Sequence, residues 1–100
     1  MTDAAKPART IIGGASKPAL PRHIKLRHDP ARDRWTILAP ERVFHPDPIA
    51  VAVLQLCDGQ RATDAIAEEL ARVYNAPKGQ ILADITAMLQ DLADKGVVKA

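Results

Sequence analysis

The sequence predicts a small α+β domain in which a three-stranded antiparallel sheet is followed by three helices. Short runs of alternating, β-branched or aromatic residues occupy the chain from about residue 24 to residue 45. Apolar residues at helical spacing occupy it from residue 49 onward. The 100 residues suit one domain, and because only 3% of them are aromatic, its core must be aliphatic.

The first 21 residues have no periodic apolar pattern, and Ile11-Ile12 is their only pair of adjacent large aliphatic residues. Such a segment buries too little apolar surface to offset its ordering entropy. We therefore predict a flexible tail or linker over residues 1–21 and a folded domain over residues 22–100. Removal of the tail is predicted to leave the melting temperature nearly unchanged.

The strands follow from short patterns. Alternation of apolar and basic residues predicts a first strand over residues 24–28, and the polar segment 29–34 predicts a hairpin loop. The second strand covers residues 35–38. A third covers residues 42–45 and ends at Pro46, which is typical of an edge strand.

Helix one is predicted over about residues 49–57. Asp47 supplies an N-cap oxygen, Pro48 occupies the first helical position, and Asp58-Gly59 closes the helix in a left-handed turn. Because its residues are apolar nearly all round, this helix is expected at the centre of the domain.

Helix two begins with Thr63 as its N-cap, and Asn75-Ala76-Pro77 separates it from helix three, which ends at about Lys95 before Gly96. Val97-Val98 is predicted to pack back on the core. Helix three carries two apolar rows. One contains Ile81, Ile85, Met88 and Leu92, and the other contains Leu82, Leu89 and Ala93. The second row is either core or the wall of a groove for a partner peptide, beside the exposed edge of strand three.

Residues suited to catalysis or metal binding are few. The three histidines and Cys57 show no ligand spacing, and Cys57, at the end of an apolar helix, is interpreted as a small core residue. Ser16, the only serine, lies in a glycine-containing stretch unsuited to a carrier attachment site. The sequence thus predicts no enzyme activity, no metal and no cofactor.

The charge distribution and the length of the apolar runs bear on the partners and the cellular compartment of the protein. Residues 1–28 carry six Lys or Arg against one Asp, whereas residues 49–100 carry five against seven acids. The longest apolar run, residues 49–54, is far shorter than the roughly 20 residues that span a bilayer. A single cysteine and the lack of a signal-peptide pattern predict a cytoplasmic protein with no membrane partner.

Three strands and three helices also fit a winged helix-turn-helix-like domain, so nucleic-acid binding is the alternative function. A recognition helix needs basic and amide side chains facing the major groove. Helix three has Lys78 and Lys95 only near its ends, and three aspartates at positions 84, 91 and 94. Phosphate repels such a helix. We therefore predict the winged-helix-like architecture but no nucleic-acid partner.

Three segments resemble the PqqD family of pyrroloquinoline quinone (PQQ) biosynthesis. They are Leu38-Ala-Pro-Glu-Arg-Val43, Leu56-Cys-Asp-Gly59 and Leu89-Gln-Asp-Leu-Ala-Asp-Lys-Gly-Val-Val98. The resemblance covers about residues 20–100. It implies a non-catalytic peptide chaperone, a RiPP precursor recognition element that binds the precursor peptide PqqA. It also implies delivery of that peptide to the radical SAM enzyme PqqE, which cross-links a Glu and a Tyr side chain.

The resemblance also implies where the peptide binds, as a strand added to strand three and lying against helix three. The implied strand residues are Glu41, Arg42, Val43 and Phe44, and the implied helix residues are Leu82, Ile85, Thr86 and Leu89. Some family members are fused behind another pathway enzyme, PqqC, and the Ala/Lys/Pro-rich start of this chain would suit a linker from such a fusion.

Overall fold

The computed structural model describes residues 11–100 and places six elements in the predicted order. They are β1 (Lys25–Asp29), β2 (Arg34–Ala39), β3 (Arg42–Phe44), α1 (Pro48–Gln55), α2 (Thr63–Tyr74) and α3 (Lys78–Asp94). The predicted α+β architecture is confirmed. None of the helices in this range is long and apolar enough to cross a membrane.

The sheet is antiparallel with β2 at its centre. Ile37 of β2 lies opposite Leu26 of β1 and Phe44 of β3, and these three side chains share the inner face that packs on the helices. Pro40 and Glu41 form the two-residue turn between β2 and β3, where Glu41 has a left-handed φ of 61°.

Asp47 caps α1 as predicted, because its Oδ1 accepts a hydrogen bond from the Ala50 N–H at 2.7 Å. The predicted left-handed closure at Asp58-Gly59 is wrong: the helix ends at Gln55 and its C-cap, Leu56, is right-handed. Gly59 does have a left-handed φ of 78°, but its N–H donates to the Pro18 carbonyl at 3.0 Å. That residue therefore serves a contact with the N-terminal segment.

Thr63 is not the N-cap of α2, since Ala62 holds that position without a side-chain bond. Thr63 is instead fully buried in the first turn, and both its N–H and its Oγ1 donate to the Ser16 carbonyl, at 2.7 and 3.2 Å. The Asp64 N–H donates to the Gly14 carbonyl at 2.9 Å. Backbone carbonyls from a distant segment thus satisfy amides that a helix leaves unpaired at its start.

That segment, residues 12–20, is the N-terminal strap. The Ile12 side chain is 4% exposed and its N–H donates to Gln90 Oε1 at 2.8 Å, while Pro18 is fully buried. Ala19 exchanges two backbone hydrogen bonds with Lys99, at 2.7 and 2.8 Å. The expectation that residues 11–21 have no buried face is therefore wrong. Residues 1–10 lie outside the described residues, and the flexible tail and the domain boundary at residue 22 stay predictions.

The end of α3 agrees with its sequence signal. Gly96 has a φ of 80°, its N–H donates to the Ala93 carbonyl at 3.0 Å, and the Val97 N–H donates to the Leu92 carbonyl at 2.8 Å. These two bonds define a Schellman motif. Val97 and Val98 are buried, as predicted.

The core draws fully buried side chains from each layer: Ile37 from β2, Val53 from α1, Ile66 from α2 and Leu89 from α3. Helices α2 and α3 pack against each other, with the strap and the C-terminal valines completing the cluster. This arrangement leaves β3 at one edge of the sheet.

Candidate functional site

The outer edge of β3 has no neighbouring strand among residues 11–100. Ala39 and Arg42 close the two-residue turn and so form the hydrogen-bonded pair next to it. The next pair, Leu38 with Val43, is then the non-hydrogen-bonded kind. The Val43 N–H and C=O consequently point away from β2, toward the position that an added strand would occupy.

A cleft of about 270 Å³ lies beside this edge. Its apolar walls come from the inner face of the sheet, from α1 and from α3. The lining residues are Ile37, Phe44, His45, Pro46, Asp47, Ala50, Met88, Asp91 and Leu92. A strand added to β3 would direct alternate side chains into this cleft, because successive residues of a strand point to opposite faces.

Arg42 joins the edge strand to α3. Its Nη2 donates to the Lys95 carbonyl at 2.9 Å, and its guanidinium lies 5.2 Å from the centroid of the Phe44 ring. A cation at the last carbonyls of a helix is favourable, as is a cation over an aromatic ring. Arg42 thereby helps to hold β3 close to the helix, beside the cleft.

The four strand residues of the predicted site separate into different roles. Glu41 is in the turn, so its placement on the edge strand is wrong. Arg42, Val43 and Phe44 form β3. The structure also settles which face is inward, a point that alternation alone leaves open: Phe44 packs against the core, whereas Val43 is 56% exposed.

The predicted helix residues do not line the cleft. Leu89 is completely buried and Ile85 is 3% exposed, so both pack in the core, and a contact of either residue with the peptide stays a prediction. Each helical residue advances about 100° around the axis, which puts Leu82 and Thr86 on the flank that Gln90 shares. Because Gln90 accepts the Ile12 N–H, that flank faces the N-terminal strap.

Met88 and Leu92, on the opposite flank of α3, take the place of those residues in the cleft. Periodicity assigned both to an apolar row but did not indicate which row would meet β3. One sequence signal was available, because flexible Met side chains recur at adaptable binding surfaces. Asp91, between them in the chain, also lines the cleft, where its Oδ2 accepts a hydrogen bond from Lys95 Nζ at 2.9 Å.

Cys57 lies in the core, as predicted, with 7% of its surface exposed. Its Sγ donates to the Val53 carbonyl at 3.2 Å, and burial, aided by the neighbouring Asp58 charge, raises the pKa of the thiol to about 12. The thiol is therefore neutral near pH 7. A neutral, buried thiol is a packing group, since reaction as a nucleophile requires the thiolate.

Asp58 organises the turn after α1. Its Oδ1 accepts hydrogen bonds from the N–H groups of Gln60 and Arg61, at 2.9 and 3.0 Å. These backbone donors are the main cause that lowers the pKa of the Asp58 carboxyl. Within residues 11–100 no three His, Cys, Asp or Glu side chains group in a way that could hold a metal ion.

Comparison with known proteins gives a consistent result. The family described as Coenzyme PQQ synthesis protein D (PqqD) matches residues 34–98. A protein of Rhodopseudomonas palustris (strain BisB5) named PqqA binding protein is 61% identical over 85 residues, which cover 85% of this chain and 83% of that protein. The bifunctional coenzyme PQQ synthesis protein C/D of Methylorubrum extorquens is 44% identical over 90 residues, which cover 90% of this chain and 24% of that protein.

A solved structure has the same fold. The solution NMR structure of the PqqD truncation of Methylobacterium extorquens PqqCD, described as a functional and stand-alone RiPP recognition element, matches with a TM-score of 0.80. The two chains are 43% identical, and the match covers 92% of this chain and 98% of the other.

The fold and these relatives show that the protein is a small recognition domain and not an enzyme. The chain belongs to the PqqD family of PQQ biosynthesis. The predicted resemblance is thus confirmed, and the prediction of a non-catalytic protein is confirmed by membership of a family of recognition elements.

Proposed function

We propose that this chain binds the precursor peptide PqqA along β3 and presents it to the radical SAM enzyme PqqE in PQQ biosynthesis. The observation that carries the proposal is the open edge of β3 directly beside the apolar cleft. The name PqqA binding protein, borne by a relative 61% identical, supports the identity of the peptide.

The peptide adds to β3 as a fourth strand. Main-chain hydrogen bonds to Val43 supply the sequence-independent part of the affinity, each worth roughly 0.5–1.5 kcal/mol net. Side chains on the inner face of the added strand contact Phe44, Met88 and Leu92, and apolar peptide residues suit that lining. The two parts together select an extended peptide with apolar residues at alternate positions.

Of the two sheet edges, β3 suits a peptide better than β1 does. Residues of β3 and of the segment after it line the cleft. The β1 strand carries the charged residues Lys25 and Arg27 on its outer face, and charges of this kind discourage strand addition at an edge.

The peptide is held until PqqE receives it, so we infer that the chain acts in the cytoplasm, where a ribosomally made precursor is first available. The relative named bifunctional coenzyme PQQ synthesis protein C/D supports a link with PqqC, because this chain matches only 24% of a protein whose name joins C and D. A nucleic-acid role gains no support from α3, since its aspartates at positions 84, 91 and 94 are all exposed.

An amide NMR titration tests the proposal. PqqA is expected to shift the signals of residues 42–45 and 88–92 in a saturable manner, and a PqqA peptide of scrambled sequence serves as the control. Duplex DNA is titrated separately at two salt concentrations. Salt-sensitive shifts with DNA, in a chain that shows none with PqqA, would establish the alternative function.

A further inference from the structure

The outer face of the sheet, turned away from the helices, is a basic surface. Lys25 and Arg27 of β1 lie opposite Leu38 and Thr36 of β2, so these four side chains share this face with Arg34 and with Val43 of β3. Together, Lys25, Arg27, Arg34, Thr36, Leu38 and Val43 form the basic outer face.

The cations of this face are available to a partner. Lys25, Arg27 and Arg34 are exposed, and no ion pair joins any of them to another residue in the range 11–100. Asp29 is the acid of the same strand face, and its Oδ1 already accepts the Ala31 N–H at 3.0 Å. The helical half of the chain has the opposite balance, with five basic against seven acidic residues from position 49 onward. The molecule therefore presents a positive sheet and a negative helical side.

The centre of the basic outer face is apolar. Val43 is 56% exposed and Leu38 is half-buried, so apolar surface lies among three cations. An apolar centre with charges around it is typical of a protein–protein interface. Single-stranded nucleic acid would need aromatic rings for stacking, but Trp35 and Phe44 belong to the inner face. The composition favours an acidic protein surface over a nucleic acid.

The basic outer face also lies next to the edge at which the peptide would bind. The face ends at Val43, on the strand whose open edge would receive the peptide. A peptide strand added there would lie about 4.8 Å from β3 and would extend the same surface by one strand. A protein docked on the basic outer face would therefore reach the bound peptide without displacing it from the cleft on the other side.

We propose that the basic outer face docks an acidic surface of the enzyme that receives the peptide. This inference rests on the proposed function and assigns the contact with PqqE to Lys25, Arg27 and Arg34. Charge complementarity of this kind mainly raises the association rate and makes the affinity depend on salt.

The test uses a charge-reversed variant, Lys25→Glu with Arg27→Glu and Arg34→Glu. The control variant, Arg61→Glu with Arg72→Glu and Lys99→Glu, changes the net charge equally at exposed residues away from this face. Binding to purified PqqE is measured by biolayer interferometry with PqqA present, and PqqA affinity is measured separately. We expect PqqE affinity to fall at least about tenfold in the first variant and by less than about twofold in the control. PqqA affinity should be retained in both.

Each outcome is decisive. Unchanged PqqE affinity in a face variant that still binds PqqA overturns this inference alone, and equal losses in both variants reduce it to a net-charge effect and overturn it too. Loss of duplex DNA binding with PqqE binding intact assigns the face to nucleic acid instead. A wild-type chain that does not bind PqqA overturns the proposed function together with this inference. If circular dichroism shows that the Glu variant is unfolded, the corresponding triple substitution to Gln is tested by the same criteria.

Discussion

At the residue scale, Cys57 shows how burial, aided by a neighbouring charge, suppresses the reactivity of a thiol. The side chain is in the core, its Sγ bonds to the Val53 carbonyl, and its pKa is raised to about 12 from an ordinary 9.0. A raised pKa of this kind links ionisation to folding, because the unfolded chain loses the proton at a lower pH than the folded chain.

We expect Cys57 to react slowly with iodoacetamide in the native state, and Cys57→Ala to cost on the order of 1 kcal/mol through lost packing. The contribution of the Cys57 thiol to the free energy of unfolding should be complete below about pH 9. It should fall as the pH rises toward 12, because the pKa of the thiol is higher in the folded chain than in the unfolded chain. Denaturant unfolding of both proteins across this range measures the difference. Rapid labelling at neutral pH, or lost PqqA binding in a folded Cys57→Ala variant, would show that the thiol has another role.

Val43 allows the peptide contact to be tested at one backbone position. Val43→Pro removes an N–H that points to the open edge, whereas Val43→Ala keeps it. We expect the proline variant to bind PqqA at least about tenfold more weakly than the alanine variant, in line with one lost hydrogen bond and an altered φ. Isothermal titration calorimetry on folded protein provides the comparison.

Phe44→Pro is the informative contrast to that change. Phe44 lies opposite Ile37 in the hydrogen-bonded register, so proline there removes a bond within the sheet and should destabilise the fold itself. If folded Val43→Pro protein binds PqqA as tightly as Val43→Ala does, strand addition at this edge is incorrect, and binding in a groove of α3 becomes the better explanation.

At the scale of elements, α3 has two flanks with different roles, and its rotation about its own axis determines which residues serve each. Met88→Asp changes a half-buried residue of the cleft and should leave the domain folded while weakening PqqA binding at least about tenfold. Leu89→Asp puts a charge at a completely buried position and should unfold the domain.

Thr86→Ala, on the flank that faces the strap, is the matched control and should change PqqA affinity by less than about twofold. Circular dichroism recorded beside each binding measurement separates loss of fold from loss of affinity. A folded Leu89→Asp variant that has lost only its peptide binding would assign Leu89 to the groove wall.

At the scale of the whole molecule, the strap joins parts of the chain that are far apart in sequence. It supplies carbonyl acceptors to the start of α2, pairs with Lys99 near the C-terminus and buries Ile12 in the core. We expect Ile12→Ala to lower the free energy of unfolding by about 2 kcal/mol or more, and the melting temperature by at least about 8 °C.

Ile11→Ala is the matched control for the strap. Its side chain is 65% exposed, so the melting temperature should shift by less than about 3 °C. Deletion of residues 1–20 should destabilise the domain more than Ile12→Ala does, because it also removes the backbone bonds of Ser16 and Ala19. A truncated chain that melts with the full-length protein would support the tail predicted from composition.

The order of the elements follows from local signals. The Asp47-Pro48 start of α1, the Asn75 and Gly96 ends of α2 and α3, and the alternation in the strands all act through residues a few positions apart. Such signals can be read from one sequence because hydrogen bonds within a turn and side-chain periodicity do not depend on the rest of the fold. The third strand could be predicted as an edge strand in the same way, from a short run that ends at Pro46.

The sequence by itself therefore determined the sheet and helices, the edge strand and, through three short segments, the resemblance to the PqqD family. Only the tertiary structure decided that the strap is packed, that Thr63 bonds to Ser16 and that Met88 and Leu92 face the cleft in place of Leu82 and Thr86. The contacts responsible join residues 78, 53 and 47 positions apart, namely Ile12 with Gln90, Arg42 with Lys95 and Ser16 with Thr63. Local periodicity shows that a helix has apolar rows, but the partner that each row meets is set by packing between distant segments.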